Sequence, residues 1–242
     1  MRPVQKLTPG NALPQSGALI SSVYRPHGSA YTHLEENLGD YCSYCEVFHS
    51  DLEVEHIVSQ HQNDSQKHNW DNLLLACGRC NGKDNKSNKP VDLDQIYFPQ
   101  QNNTLLAFEY REGGFVMVST ILANINQKQK AQNMLDLVGL DKYAGNPKYP
   151  DLNPRDIRWK NRRIAWELAV RYLSDYENNR RTADDIAMFA AQRGFFSVWF
   201  TVFIAHHEVK KALIMAFPGT APRCFDVNYN PRPRNPGNLD SI

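Results

Sequence analysis

The chain has 242 residues, 41% of them hydrophobic and 22% charged, with 27 basic against 26 acidic side chains. This is ordinary globular composition, enough for one large domain or two small ones, and it excludes a low-complexity chain. A net charge of +1 is small for a protein that grips DNA by neutralising phosphates alone, so its basic residues are concentrated locally or a partner does much of the gripping. No N-terminal stretch joins a basic start to an apolar core. The longest apolar run, Phe195 to Ala205, is too short to span a bilayer, and a soluble cytoplasmic protein is expected.

In chain order, Met1 to Pro26 has three prolines before Arg25 and no sustained period, which predicts an extended arm that wraps a core or a partner. A short helix is expected from Ser29 to Leu38, capped by Ser29 and stopped by Gly39. Leu52, Val54 and Ile57, with polar residues between them, predict a strand that carries Glu55 and His56 near its end. The polar stretch from His61 to Asn69 reads as a loop. Leu73-Leu74-Leu75 reads as a second strand, and a helix begins near Asn81.

Beyond Pro90 the pattern changes. Leu105 to Tyr110 and Phe115 to Ser119 flank Glu-Gly-Gly, a β-hairpin signal. Asn126 to Val138 reads as a helix ended by Gly139, and a turn-rich link runs from Asp141 to Asn153. A long helix then reaches about Tyr176, with Ile164, Leu168 and Tyr172 on one face and a basic, solvated set including Arg158 and Arg162 elsewhere. Thr182 caps a further helix, two aromatic helical segments fill Phe195 to Phe217, and the tail from Pro218 is irregular.

The chemistry concentrates between Tyr41 and Lys86. Four of the five cysteines form two Cys-x-x-Cys pairs, Cys42/Cys45 and Cys77/Cys80. In a cytosolic chain such pairs read as the four thiolates of a structural Zn²⁺ rather than as disulfides. Four thiolates leave the zinc no open position for water, so the zinc is scaffolding. Glu55, His56, Asn72 and Asn81 lie within or just beyond the insert. Phosphodiester hydrolysis needs a base for water and a cation against the charge developing on phosphate. His56 suits the base. Glu55 and Asn81 suit the oxygen ligands of Mg²⁺ or Mn²⁺. Asn72 is placed to orient the His56 ring. Lys83 and Lys86 are placed to meet phosphates.

These residues resemble the HNH endonucleases, the ββα-metal class. Their pattern runs Cys-x-x-Cys, Asp-His-Ile, Asn-Leu, then Cys-x-x-Cys followed by His or Asn and by Lys. Cys42/Cys45, Glu55-His56-Ile57, Asn72-Leu73, Cys77/Cys80, Asn81 and Lys83 stand at those places. The strand is also similar to that of the HNH module of CRISPR effector nucleases. Glu55 replaces the usual Asp, and Asn81 replaces the commoner His. Scattered phrases over the whole length, Met1 to Lys6, Gly39 to Cys45, Gly219-Thr220 and Cys224-Phe225-Asp226, resemble PtuB, the HNH subunit of Septu-type antiphage systems, found also with some retrons. That resemblance implies a PtuA-like ATPase of the ABC/AAA type as partner. The chain has no phosphate-binding Gly-x-x-x-x-Gly-Lys-Ser/Thr motif of its own.

The expectation is therefore an α-rich α+β protein. Residues 1–40 form an arm and short helix, and 41–90 an HNH module with four-cysteine zinc knuckles. Residues 91–242 form a β-hairpin and a helical, partner-docking region. The expected activity is metal-dependent DNA cleavage. The alternative is a zinc-knuckle binding or adaptor protein that regulates an ATPase or holds nucleic acid without cutting it.

Overall fold

The computed structural model describes residues 1–87, 89–235 and 242. It is a helix-rich α+β structure with two small antiparallel hairpins. The first pairs β1 (Leu52–His56) with β2 (Leu73–Cys77), setting His56 opposite Leu73 and Leu52 opposite Cys77. All five residues of β2 are buried, which explains its unbroken apolar run, whereas β1 buries only Leu52 and Glu55 because only part of it meets the core. One helical turn, α2 (Gly78–Asn81), follows β2 directly, so the second cysteine pair sits at a strand-to-helix junction.

The N-terminal arm wraps its own protein. Val4 bridges Thr220 and donates to the Pro99 carbonyl at 2.7 Å, while Ala12 and Leu19 pair locally. Lys6 reaches the Leu73 carbonyl at 2.7 Å and lies 4.8 Å from the centre of the Trp70 ring. Burial lowers its ammonium pKa to about 7. The arm thus braces β2 at the end where it faces His56. Helix α1 (Tyr31–Leu38) grows out of a 3₁₀ turn at His27–Ala30 and stops at Gly39, whose φ of 77° suits glycine. Ser29 is not its cap, because the Ser29 hydroxyl donates back to the Pro26 carbonyl.

In the C-terminal part, the start of the expected hairpin strand is instead a helical turn, α3 (Thr104–Ala107), capped by the Asn103 side chain. The second hairpin is β3 (Phe108–Arg111) with β4 (Phe115–Val118). Helix α4 (Ile125–Val138) begins with a capping box between Asn124 and Gln127 and ends at left-handed Gly139. Helices α5 (Arg158–Glu177), α6 (Ala183–Arg193), α7 (Phe196–Val202) and α8 (His207–Ala216) close around Phe196, Trp199, Phe200, Phe203 and Phe217. A second cluster joins arm, first hairpin and α4 through Leu13, Leu75, Phe98 and Val138. No helix among the described residues is long and apolar enough to cross a membrane.

The buried face of α5 differs from the expected one. Ile164 is 50% exposed, and the inward residues are Arg158, Arg162, Ala165, Ala169 and Tyr172. Two arginines occupy core positions, so the apolar stripe alone is displaced around the helix. Arg162 donates to the Gly114 and Leu140 carbonyls at 2.9 and 2.8 Å. Arg158 forks onto the Val138 and Gly139 carbonyls at 2.7 and 2.9 Å and pairs with buried Asp156 at 2.6 Å. Both were expected on a solvated face; backbone carbonyls left open at Gly114 and at the end of α4 draw them inward instead. Replacing Arg158 with Met should destabilise the zinc-loaded protein by about 3–5 kcal/mol in a denaturant titration, because Asp156 stays buried without its partner.

Candidate active site

The two knuckles meet at one point. The Sγ atoms of Cys42, Cys45, Cys77 and Cys80 all lie within 4.8 Å of one another, and all five cysteines of the chain are free. Bonds of about 2.3 Å from zinc to four sulfurs make a tetrahedron with edges of about 3.8 Å. The Cys45–Cys77 separation of 3.7 Å fits that figure. The first knuckle is a tight turn, and the second is the passage from β2 into α2. Glu46 sits at φ 65° just past Cys45 and donates its amide to the Cys42 carbonyl at 2.9 Å. Arg158 adds an N–H to Cys80 Sγ at 3.2 Å, so a cation from α5 faces the thiolate cluster.

Next to this clamp a crevice of about 430 Å³ is lined by His27, Glu53, Val54, His56, Ser59 and Asn81, among others. Strand β1 carries His56 to its rim, and α2 carries Asn81. His56 Nε2 lies 2.9 Å from the Lys67 carbonyl. A carbonyl oxygen can only accept, so Nε2 bears the proton and Nδ1 keeps its lone pair. Burial, opposed by that hydrogen bond, pushes the His56 pKa below its ordinary value. The ring of His27 packs 4.6 Å away.

Asn72 takes a different role from the one expected. Its Oδ1 accepts from the Val58 amide at 2.8 Å, and its Nδ2 donates to the Val58 carbonyl at 2.9 Å and the Gln66 carbonyl at 3.2 Å. It therefore pins the backbone that leaves His56 to the loop that holds Lys67. The Lys67 carbonyl, not the Asn72 amide, contacts the ring.

Glu55 does not reach the crevice. It is 1% exposed, accepts from the Tyr44 hydroxyl at 2.6 Å, and is ion-paired with the equally buried Lys86. Burial raises the Glu55 carboxyl pKa while Lys86 and Tyr44 pull against it. Lys86 also donates to the His56 carbonyl at 2.5 Å. This corrects two expectations. The Glu55 carboxylate is committed to an internal ion pair instead of an ion beside His56. Lys86 is locked beneath the strand instead of meeting phosphate. Lys83 is exposed just past Asn81. Asn81 Nδ2 donates to Glu53 Oε2 at 2.8 Å, and this places Glu53, which sequence reasoning had passed over, on the crevice wall. Glu53 and Glu55 share the strand's two-residue period, so alternation by itself did not single out Glu53. His27, far upstream, left no local signal.

Residues 40–87 match the model of the HNH endonuclease family, and the chain carries an HNH endonuclease domain over that span. No curated protein matches the chain. An HNH domain implies nuclease chemistry on nucleic acid with a divalent metal, and the oxygen donors of Glu53 and Asn81, with the buried Ser59 hydroxyl that lacks a hydrogen-bond partner among the described residues, suit such an ion. If the clamp holds zinc as folding energy, Cys77→Ser should lower the melting temperature steeply and release zinc, as measured by a thermal melt and a colorimetric zinc assay. A melt unchanged by the substitution would remove the structural zinc.

Proposed function

We propose that this protein is a metal-dependent HNH endonuclease that hydrolyses DNA phosphodiester bonds. The observation that carries the reading is His56, its Nε2 held by the Lys67 carbonyl so that Nδ1 is left for a proton, at the rim of a polar crevice within the HNH domain. In this reading His56 Nδ1 takes the proton from the attacking water. Asn72 holds the loop that fixes the tautomer. Exposed Lys83 meets a phosphate beside the scissile one. A divalent cation bound in the crevice would offset the charge that builds on phosphate and leaving oxygen.

His56→Ala should abolish cleavage of plasmid DNA in Mg²⁺ or Mn²⁺ and leave the thermal melt unchanged. A variant that cuts at the wild-type rate removes His56 from this role. The pH dependence follows from the sign of its shift. The base works only when unprotonated, and its pKa lies below 6.5, so the rate should be flat from pH 7 upward and fall on the acid side with a midpoint under 6.5. A midpoint above neutrality would point to a different base.

The same reading makes the protein the effector nuclease of an antiphage complex controlled by an ATPase. Its support is the PtuB-like phrases along the chain and the absence of a phosphate-binding loop motif in its sequence. Affinity purification from native cells should recover an ATPase, and ATP should alter the cleavage rate of the complex. Recovery without an ATPase would leave the nuclease standing alone.

A further inference from the structure

Two carboxylates stand two residues apart on β1 and have opposite fates. Glu55 is buried, and its charge is already balanced by Lys86. Drawing it toward an external ion would leave a buried ammonium without its partner. Glu53 is exposed, and among the described residues its one side-chain hydrogen bond comes from a neutral amide, Asn81, with no lysine or arginine paired to it. It shares the crevice wall with His56. Ser59, on the same wall, is 4% exposed, and its hydroxyl has no hydrogen-bond partner among the described residues, so a polar group is held ready for an occupant. A carboxylate, an amide and a hydroxyl are the oxygen donors a hard divalent cation takes.

We propose that Glu53, not Glu55, supplies the carboxylate for the divalent cation of this crevice, with Asn81 as its amide partner and Ser59 on the same wall. The proposal rests on the nuclease reading above for its purpose but not for its geometry. On binding, the Asn81 amide turns over so that Oδ1 rather than Nδ2 faces the ion, a rotation that leaves the backbone in place. Glu55 stays with Lys86 and keeps the strand seated beneath.

The test is a Mn²⁺ titration of the zinc-loaded full chain, read by the loss of the free Mn²⁺ electron paramagnetic resonance signal. Glu53→Gln should weaken Mn²⁺ binding by at least about tenfold with an unchanged melt, since the side chain is exposed. Ser59→Ala should weaken it by a smaller factor. Wild-type affinity in Glu53→Gln, or no Mn²⁺ binding by the wild-type chain, overturns the proposal. The two readings fail separately. A wild-type chain that cuts DNA while Glu53→Gln binds Mn²⁺ normally loses this ion site but keeps its activity. A chain that binds Mn²⁺ through Glu53 and cuts nothing keeps the site and loses the nuclease.

Discussion

The rest of the structure depends on four thiolates being drawn to one point. Cys42 and Cys45 lie on the turn before β1, and Cys77 and Cys80 straddle the passage from β2 into α2. An ion shared by them would close the long insert between the pairs at its root and fix both strands and the helical turn at the same end. Everything chemical hangs from that closure: His56 at the far end of β1, Asn81 at the end of α2, and Glu53 between them. A thiolate cluster is an excess of negative charge in a buried place. Arg158 answers part of that charge from α5, so the C-terminal helices take part in the clamp itself.

The clamp was plain in the sequence because its signal is local. Two residues between cysteines is the separation a knuckle turn requires, and no distant context alters it. The strands and the helix stop at Gly139 were legible for the same reason, since each follows from a short period or a single φ preference. What could not be read was the fate of Glu53 against Glu55. The residues alternate identically along β1. What separates them is Tyr44 from the knuckle and Lys86 from beyond α2, which converge on one carboxylate and leave the other to the crevice. Arg158 and Arg162 misled in the same way. A basic helix face is solvated unless carbonyls wait for it inside the fold, and those carbonyls belong to Val138, Gly139, Leu140 and Gly114.

His56 shows how several weak constraints make one well-defined group. Its Nε2 is held by a carbonyl on the polar loop before β2. That loop is in turn fastened by Asn72 to the backbone just past His56. From the other side, Lys6 of the arm grips the carbonyl of Leu73, the residue paired with His56 across the hairpin. The expected direct bond from Asn72 to the ring is replaced by this longer circuit, in which backbone rather than side chain sets the tautomer.

Lys86 lies six residues past Cys80, and its ammonium touches both the Glu55 carboxylate and the His56 carbonyl. The segment that brings it there is anchored at Cys80. A metal held by the four cysteines would therefore also secure, through Cys80, the ammonium that seats the strand under His56.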